Sequence, residues 1–257
     1  MILKRASEIE VMAEAAVINR EALEAVAAAV RPGVSTLELN ALAEDAIVSR
    51  GGKPAFKGYR GFPATLCTSV NEVVVHGIPG DLRLSEGDIV SIDIGTFYRG
   101  YAADQAATFA VGDVSGEARR LLEVTERSLT VGIAAAVAGR RLGDVSAAIQ
   151  DVVETAGFWV IREFVGHGIG REFHEGPEVP NYGRAGTGPV LRPGLVLAIE
   201  PMVSLDKTTV SVADDGWTAS TADGSLAAHF EHTVAITEDG PRVLTAKAGT
   251  EGGAHGA

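Results

Sequence analysis

Two stretches decide the fold: Gly87-Asp88-Ile89-Val90-Ser91-Ile92-Asp93 and, 107 residues later, Gly194-Leu195-Val196-Leu197-Ala198-Ile199-Glu200. Each opens on a glycine turn, continues as a short apolar run and ends on an acid. Such runs, bounded by turn residues, read as buried strands. A carboxylate at the end of a buried strand needs a partner or a cation, because charge is rarely buried alone. The two acids, Asp93 and Glu200, therefore occupy matching positions.

Working outward, the helices repeat as well. Ser7 with Glu10 predicts a capping box for a first helix whose apolar face carries Ile9, Met12, Ala13, Ala16, Val17, Leu23 and Val26. Pro32-Gly33 stops it. A second helix starts at Ser35-Thr36-Leu37-Glu38 and runs to about Arg50, with Leu39, Leu42, Ala46 and Ile47 on one face, before Gly51-Gly52. A shift of 106 lays Gly33 on Gly139, Leu39 on Val145, Asp45 on Asp151, Ile47 on Val153 and Gly51 on Gly157. The corresponding later helices span about 117–137 and 143–155. His76-Gly77-Ile78 also echoes His167-Gly168-Ile169, at a shift of 91. These matches, in the same order, predict two copies of a helix-helix-strand unit about a pseudo-twofold axis. Ligand sites commonly lie where such halves meet.

Between these elements, Leu66 to Val75 reads as β-rich. Tyr98 to Phe109 reads as a strand pair holding Asp104, eleven residues after Asp93, so that a hairpin brings the two acids face to face. Gly166 to Pro177 sets His167 and His174 among glycines, which let backbone approach closely. Phe56, Tyr59 and Phe62 lie in a glycine-rich loop, where aromatics are more often core plugs than ligand contacts. A last strand contains His229-Phe230-Glu231-His232.

Bulk properties narrow the class. A chain of 257 residues, 46% hydrophobic and 22% charged, fits one large domain. The net charge of −12 makes DNA an unfavourable partner. The single cysteine, Cys67, forms no internal disulfide and suits a reducing cytoplasm. No secretory signal is read, and Ala22 to Val30 is too short to span a membrane. The reading is of a cytoplasmic, monomeric protein with no membrane partner. A single domain is expected over 1–247, in halves of about 5–112 and 116–245, followed by a disordered tail at 248–257 in which His255 has no role.

Asp93, Asp104, His167, Glu200 and Glu231 are the polar residues that interrupt apolar runs. Four carboxylates in one space repel by several kcal/mol at an effective dielectric of roughly 20. Two divalent cations would cancel the four charges. One nitrogen among so many oxygens favours Mn²⁺, Fe²⁺ or Co²⁺ over a structural zinc site.

Asn71-Glu-Val-Val-Val-His-Gly-Ile-Pro79, Gly87 to Asp93, Gly166 to Pro177, Ile199-Glu200-Pro201-Met202-Val203 and Glu231-His232-Thr233 resemble the motifs of the type I methionine aminopeptidases, from about residue 5 to 245. The short bacterial form is implied. The resemblance implies the α+β pita-bread (creatinase/aminopeptidase) fold, two pseudo-twofold-related halves around a central antiparallel sheet. It also implies removal of the N-terminal methionine of nascent polypeptides with a small second residue, in the cell at the ribosome. Two divalent ions would be held by Asp93 on one side and His167 and Glu200 on the other, with Asp104 and Glu231 shared. A bridging hydroxide would attack the first peptide bond, with Glu200 moving its proton. His174 would bond the carbonyl oxygen, and His76 would contact the scissile nitrogen. Tyr59, Phe62, Cys67, Phe173 and Trp217 would form the methionine pocket, reversing the core reading of Tyr59 and Phe62; for Cys67 packing and substrate contact both stay open.

Two departures stand out. His229 replaces the family's usual glutamine and either enters the hydrogen bonding of Glu231 or points outward. Ala103 and Gln105 flank Asp104 in place of the commoner small or hydroxylated neighbours. Xaa-Pro peptidases of the same fold usually add a histidine four residues before the ligand histidine, where this chain has Glu163. A catalytically silent binding module is the other alternative; such copies normally lose ligands.

Overall fold

The structure, a computed structural model, describes residues 1–247. The segment 248–257, read as disordered from sequence, lies outside the described residues, as does His255.

Among the described residues four α-helices form: α1 (Ala6–Ala29), α2 (Thr36–Ser49), α3 (Gly116–Ala135) and α4 (Leu142–Thr155). Ser35 caps α2, its hydroxyl accepting from the Glu38 N–H while the Glu38 carboxylate accepts from the Ser35 N–H. The start of α1 corrects the sequence reading. The chain turns helical two residues earlier, and the Glu8 carboxylate accepts from the Arg5 N–H at 2.9 Å. Glu10 pairs instead with Arg242. Two residues assigned to buried faces, Val17 and Leu42, are exposed; on α2, Leu39, Ala43 and Ile47 make the buried stripe.

A nine-stranded antiparallel sheet lies against them. Its strands in chain order are β1 (Lys53–Pro54), β2 (Leu66–Val70), β3 (Ile89–Tyr98), β4 (Tyr101–Ala110), β5 (Gly166–Gly168), β6 (Glu175–Val179), β7 (Val196–Ile199), β8 (Glu231–Thr237) and β9 (Gly240–Val243). The spatial order is β1-β3-β4-β8-β7-β5-β6, with β2 added on β3 and β9 on β8. Two three-stranded sheets flank it. One centres on Met202–Ser204 and the other on Ala219–Thr221. The predicted strand pair at Tyr98 to Phe109 is instead the second half of one long hairpin, turning at Arg99-Gly100, both with positive φ.

Side-chain alternation then sorts the faces. In β3, Ile92 and Ile94 pack with Ile18, Leu39 and Ile47 of the first helix pair. In β7, Leu197 and Ile199 pack with Leu121, Val145 and Ile149 of the second. Each helix pair thus covers the strands of its own half, the arrangement of the pita-bread fold. Asp93 and Glu200, one residue out of phase with those apolar positions, face away from the helices. Among the described residues no helix is long and apolar enough to cross a membrane.

Candidate metal centre

Strand register explains how distant residues converge. Asp93 of β3 lies opposite Ala106 of β4, and Ala106 lies opposite Glu231 of β8. One rung along, Gly95 opposes Asp104, Thr233 opposes Ala198 and Ala198 opposes His167. Thr233 joins the two sides of that rung, its hydroxyl accepting from the Asp104 N–H at 2.9 Å and donating to the Asp104 carbonyl at 2.8 Å. Glu200, two residues past Ala198, returns to the same face. Five candidate ligands therefore stand on two adjacent rungs, separated by Gly95, Ala106, Thr233 and Ala198. Small residues between them leave the central space. Gly95 is required for a further reason: a Cβ there would come 2.7 Å from the Phe173 ring. The hairpin sets Asp93 and Asp104 diagonally rather than directly opposite, which corrects the face-to-face expectation.

Ligating atoms of Asp104, His167 and Glu231 lie within 4.8 Å of one another. The His167 Nε2 is 3.7 Å from Asp104 Oδ2 and 3.7 Å from Glu200 Oε1. Its Nδ1 sits 2.9 Å from the Gly168 carbonyl, which can only accept, so Nδ1 carries the proton when the ring is neutral and Nε2 offers its lone pair to the carboxylates. Burial, then Asp104 and Glu200, raises the Asp93 carboxyl well above its ordinary pKa. Glu231 is raised for the same first reason, with Asp104 adding to it. Burial raises Asp104 too, partly offset by His167. For His167, burial disfavours the charge, but Asp104 and Glu200 outweigh it and raise the pKa. Asp93 Oδ1 and Glu231 Oε1 are buried without hydrogen-bond partners. Carboxyls whose charged forms burial disfavours, beside orphaned oxygens and an imidazole lone pair, form a donor set short of positive charge. Divalent cations fit it.

Above this wall lies a cavity of about 170 Å³. It is lined by all five candidate ligands, by His76 and His174, and by Tyr59, Phe62, Cys67, Phe173 and Trp217. The structure thus places around one cavity the residues to which the resemblance gave metal-binding, catalytic or substrate-binding roles, while His229, Ala103 and Gln105 do not line it. Phe62 and Trp217 meet edge to face at 5.1 Å, as do Tyr59 and Phe173 at 5.7 Å. Cys67 sits opposite Asp93 on the neighbouring strand, and burial holds its thiol well above the ordinary pKa. The His76 backbone has a φ of +61°, and its ring meets Phe164 at 5.4 Å and Trp217 at 6.1 Å. Burial lowers its pKa. His174 is brought to about 3 by burial and by His167. His229 points inward: its Nε2 is 3.5 Å from Glu200 Oε2 and otherwise unpartnered. Its neighbour is thus Glu200 rather than Glu231.

Three contributors escaped the sequence reading. Asn181 donates at 2.9 Å to the Glu200 carbonyl and gave no motif signal. Arg60, at a φ of +49°, lines the cavity mouth, and only its glycine neighbours hinted at that backbone. Phe56, read as a core plug, lines the cavity while packing on Phe62 and Phe173.

An antiparallel pita-bread sheet with carboxylates and an imidazole converging at the seam of two helix-covered halves defines a metallohydrolase. Comparison with known proteins narrows this. The model of metallopeptidase family M24 matches residues 10–238, and the chain belongs to that family. It is 53% identical over 245 residues to a methionine aminopeptidase of Clostridium perfringens, covering 95% of this chain and 98% of that one. It is 49% identical to methionine aminopeptidase 1 of Bacillus subtilis, covering 95% and 99%. The crystal structure of methionine aminopeptidase from Thermotoga maritima superposes with a TM-score of 0.95 at 48% identity, covering 96% and 100%.

Proposed function

We propose that this chain hydrolyses the first peptide bond of polypeptides that begin with methionine, releasing that methionine when the second residue is small. The observation that carries the reading is one cavity whose floor is the five-donor set and whose walls are aromatic rings and a thiol. A thioether is soft and favours aromatic edges. Residues 1–247 act as a single catalytic domain with halves of about 5–112 and 116–245.

Asp93, Asp104, His167, Glu200 and Glu231 would hold two divalent cations, Asp93 on one side, His167 and Glu200 on the other, with Asp104 and Glu231 common to both; Mn²⁺, Fe²⁺ and Co²⁺ would suit this set of oxygens and one nitrogen. Cations bound there supply a Lewis acid and a water of lowered pKa. The chain's own groups do the remainder. Glu200 takes the proton released by the attacking water. His174 donates a hydrogen bond to the carbonyl oxygen as negative charge develops on it. His76, near the scissile nitrogen, assists its protonation as the amine leaves. The aromatic walls bury the methionine side chain and set the free α-amino group on the Asp93 side of the floor, so cleavage stops after one residue. The protein works as a cytoplasmic monomer on nascent chains at the ribosome.

Incubation of the purified protein with Met-Ala-Ser and Mn²⁺, Fe²⁺ or Co²⁺ in turn tests this. Methionine release with at least one ion, abolished by chelator and slower on Met-Leu peptides, is expected. No release with any of the three overturns the reading.

A further inference from the structure

We propose that Tyr59 is a positioning residue that sets the tautomer of His174. This rests on the reading of His174 as the donor to the scissile carbonyl. The Tyr59 hydroxyl lies 2.8 Å from His174 Nδ1, and the two rings stack at 5.3 Å with 28° between their planes. The phenol is held from other sides as well. Phe173 meets its ring edge-on at 5.7 Å, and the Arg60 guanidinium lies 5.4 Å from the ring centroid.

A neutral imidazole carries one N–H, and the bond made by one nitrogen decides which nitrogen bears it. Two arrangements satisfy the 2.8 Å contact. In one, the phenol O–H donates to Nδ1 and the ring proton sits on Nε2. In the other, Nδ1–H donates to the phenol oxygen and Nε2 presents a lone pair to the cavity that His174 lines. The second would aim a lone pair at an oxygen gaining negative charge, on a wall already crowded with carboxylates. The first gives a donor at that point. His167 provides the contrast within the same cavity: its Nδ1 is held against the Gly168 carbonyl, which fixes the proton on Nδ1 and frees Nε2 as a lone pair. Two histidines with ring centroids 4.2 Å apart thus present opposite faces, one accepting and one donating, because their Nδ1 partners differ.

The test removes one oxygen. Tyr59→Phe keeps the ring that the methionine pocket needs and deletes the hydroxyl. The protein, uniformly ¹⁵N-labelled and loaded with diamagnetic Zn²⁺, is examined by long-range ¹H–¹⁵N correlation, with His174 assigned by comparison with His174→Gln. The native protein should show the Nε2–H form, and Tyr59→Phe should lose it in favour of a mixture. The kcat on Met-Ala-Ser with Mn²⁺ should fall roughly tenfold, within the range for outer partners of site residues, at a KM within about twofold. An Nδ1–H form in the native protein, or a Tyr59→Phe variant that keeps the Nε2–H form, overturns the proposal. A changed tautomer with unchanged kcat would uphold Tyr59's control of the ring and instead sink the reading of His174 as the carbonyl donor.

Discussion

The tripeptide His-Gly-Ile occurs twice, once in each half, and the two copies do different work. His167-Gly168-Ile169 begins in β5, hydrogen-bonded on both sides, and its imidazole faces Asp104 and Glu200. His76-Gly77-Ile78 follows the short strand Val73–Val75, takes a left-handed backbone and turns its ring onto Phe164 and Trp217. The glycine is needed in both places for one reason. A Cβ at Gly77 would lie 2.2 Å from the Thr68 carbonyl oxygen, and one at Gly168 would lie 2.5 Å from that of Gly176. Electrostatics separates the histidines. Burial lowers the pKa of His76, whereas two carboxylates outweigh burial at His167 and raise it. The acids show the same divergence: Asp93 is embedded in a ten-residue strand, while Glu200, one methylene longer, follows a four-residue strand. The same tripeptide thus lies in a paired strand in one half and in a left-handed turn in the other, where its imidazole meets carboxylates in the first case and aromatic rings in the second.

Replacement of the floor residues should produce the largest effects. His167→Ala and Asp104→Asn should each lower turnover more than about a hundredfold, beyond the usual cost of losing an outer partner of a ligand. Calorimetric titration with Mn²⁺ should show weakened binding in both. Asp104→Asn turnover above a tenth of the native value would remove it from the shared position. His76→Ala should lower kcat by about 10²-fold, typical for a positioned proton donor, while leaving the Mn²⁺ affinity within about threefold. Should His76→Ala lose the cation as His167→Ala does, the two copies would not have diverged and the contrast fails.

Much of this arrangement was legible in the chain because period-two alternation and glycine punctuation are local signals. The matching of Asp93 with Glu200 needed only the spacing of two apolar runs. Hairpin register was less accessible. That Asp104 opposes Gly95 rather than Asp93 depends on a two-residue turn at Arg99-Gly100, and the sequence around Tyr98 suggested a strand start instead. The α1 cap was misplaced because Ser7-x-x-Glu10 has the composition of a capping box, yet Glu8 lies one turn from Arg5 and Glu10 reaches Arg242 across the surface. Asn181 carried no signal, and Thr233 stood in a quoted motif without a role, since a polar residue that serves backbone groups of a distant segment looks like any other. The turn of His229 toward Glu200 was neither of the two readings open from sequence, contact with Glu231 or an outward side chain; it follows from the pairing of Ala227–His229 with Met202–Ser204, which no local pattern announces.

The halves also support each other unequally, and a smaller effect should show it. Lys4, at the start of the first half, buries its ammonium 2.6 Å from Glu175 in the second, both side chains 3% exposed. The other Glu175 oxygen accepts from the Arg171 N–H at 3.0 Å, at the start of the loop that carries Phe173 and His174. Removing one partner of a buried pair costs about 3–5 kcal/mol, chiefly through the charge left behind. Lys4→Met should therefore lower the Tm and reduce kcat several-fold, with part of the Tm regained by adding Glu175→Gln. Unchanged kcat in a folded Lys4→Met protein would mean that the loop holds His174 without help from the first half.

The smallest effect is a difference of sign. Without cations, Asp93, Asp104 and Glu231 have pKa values raised by burial, so the folded protein binds protons that the unfolded chain has released. Stability then falls as pH rises from the unfolded carboxylate values through the folded ones. Cation binding requires the same carboxylates deprotonated, so its contribution grows with pH. The Tm of chelator-treated protein should therefore decline between pH 5 and pH 8, while the gap in Tm between Mn²⁺-loaded and metal-free protein should widen over that range. The acids come from both copies, Asp93 and Asp104 from one and Glu231 from the other, and Asp93→Asn or Glu231→Gln should each flatten the metal-free slope. A slope that responds to only one of them would place the unfavourable charge in one half rather than at the seam.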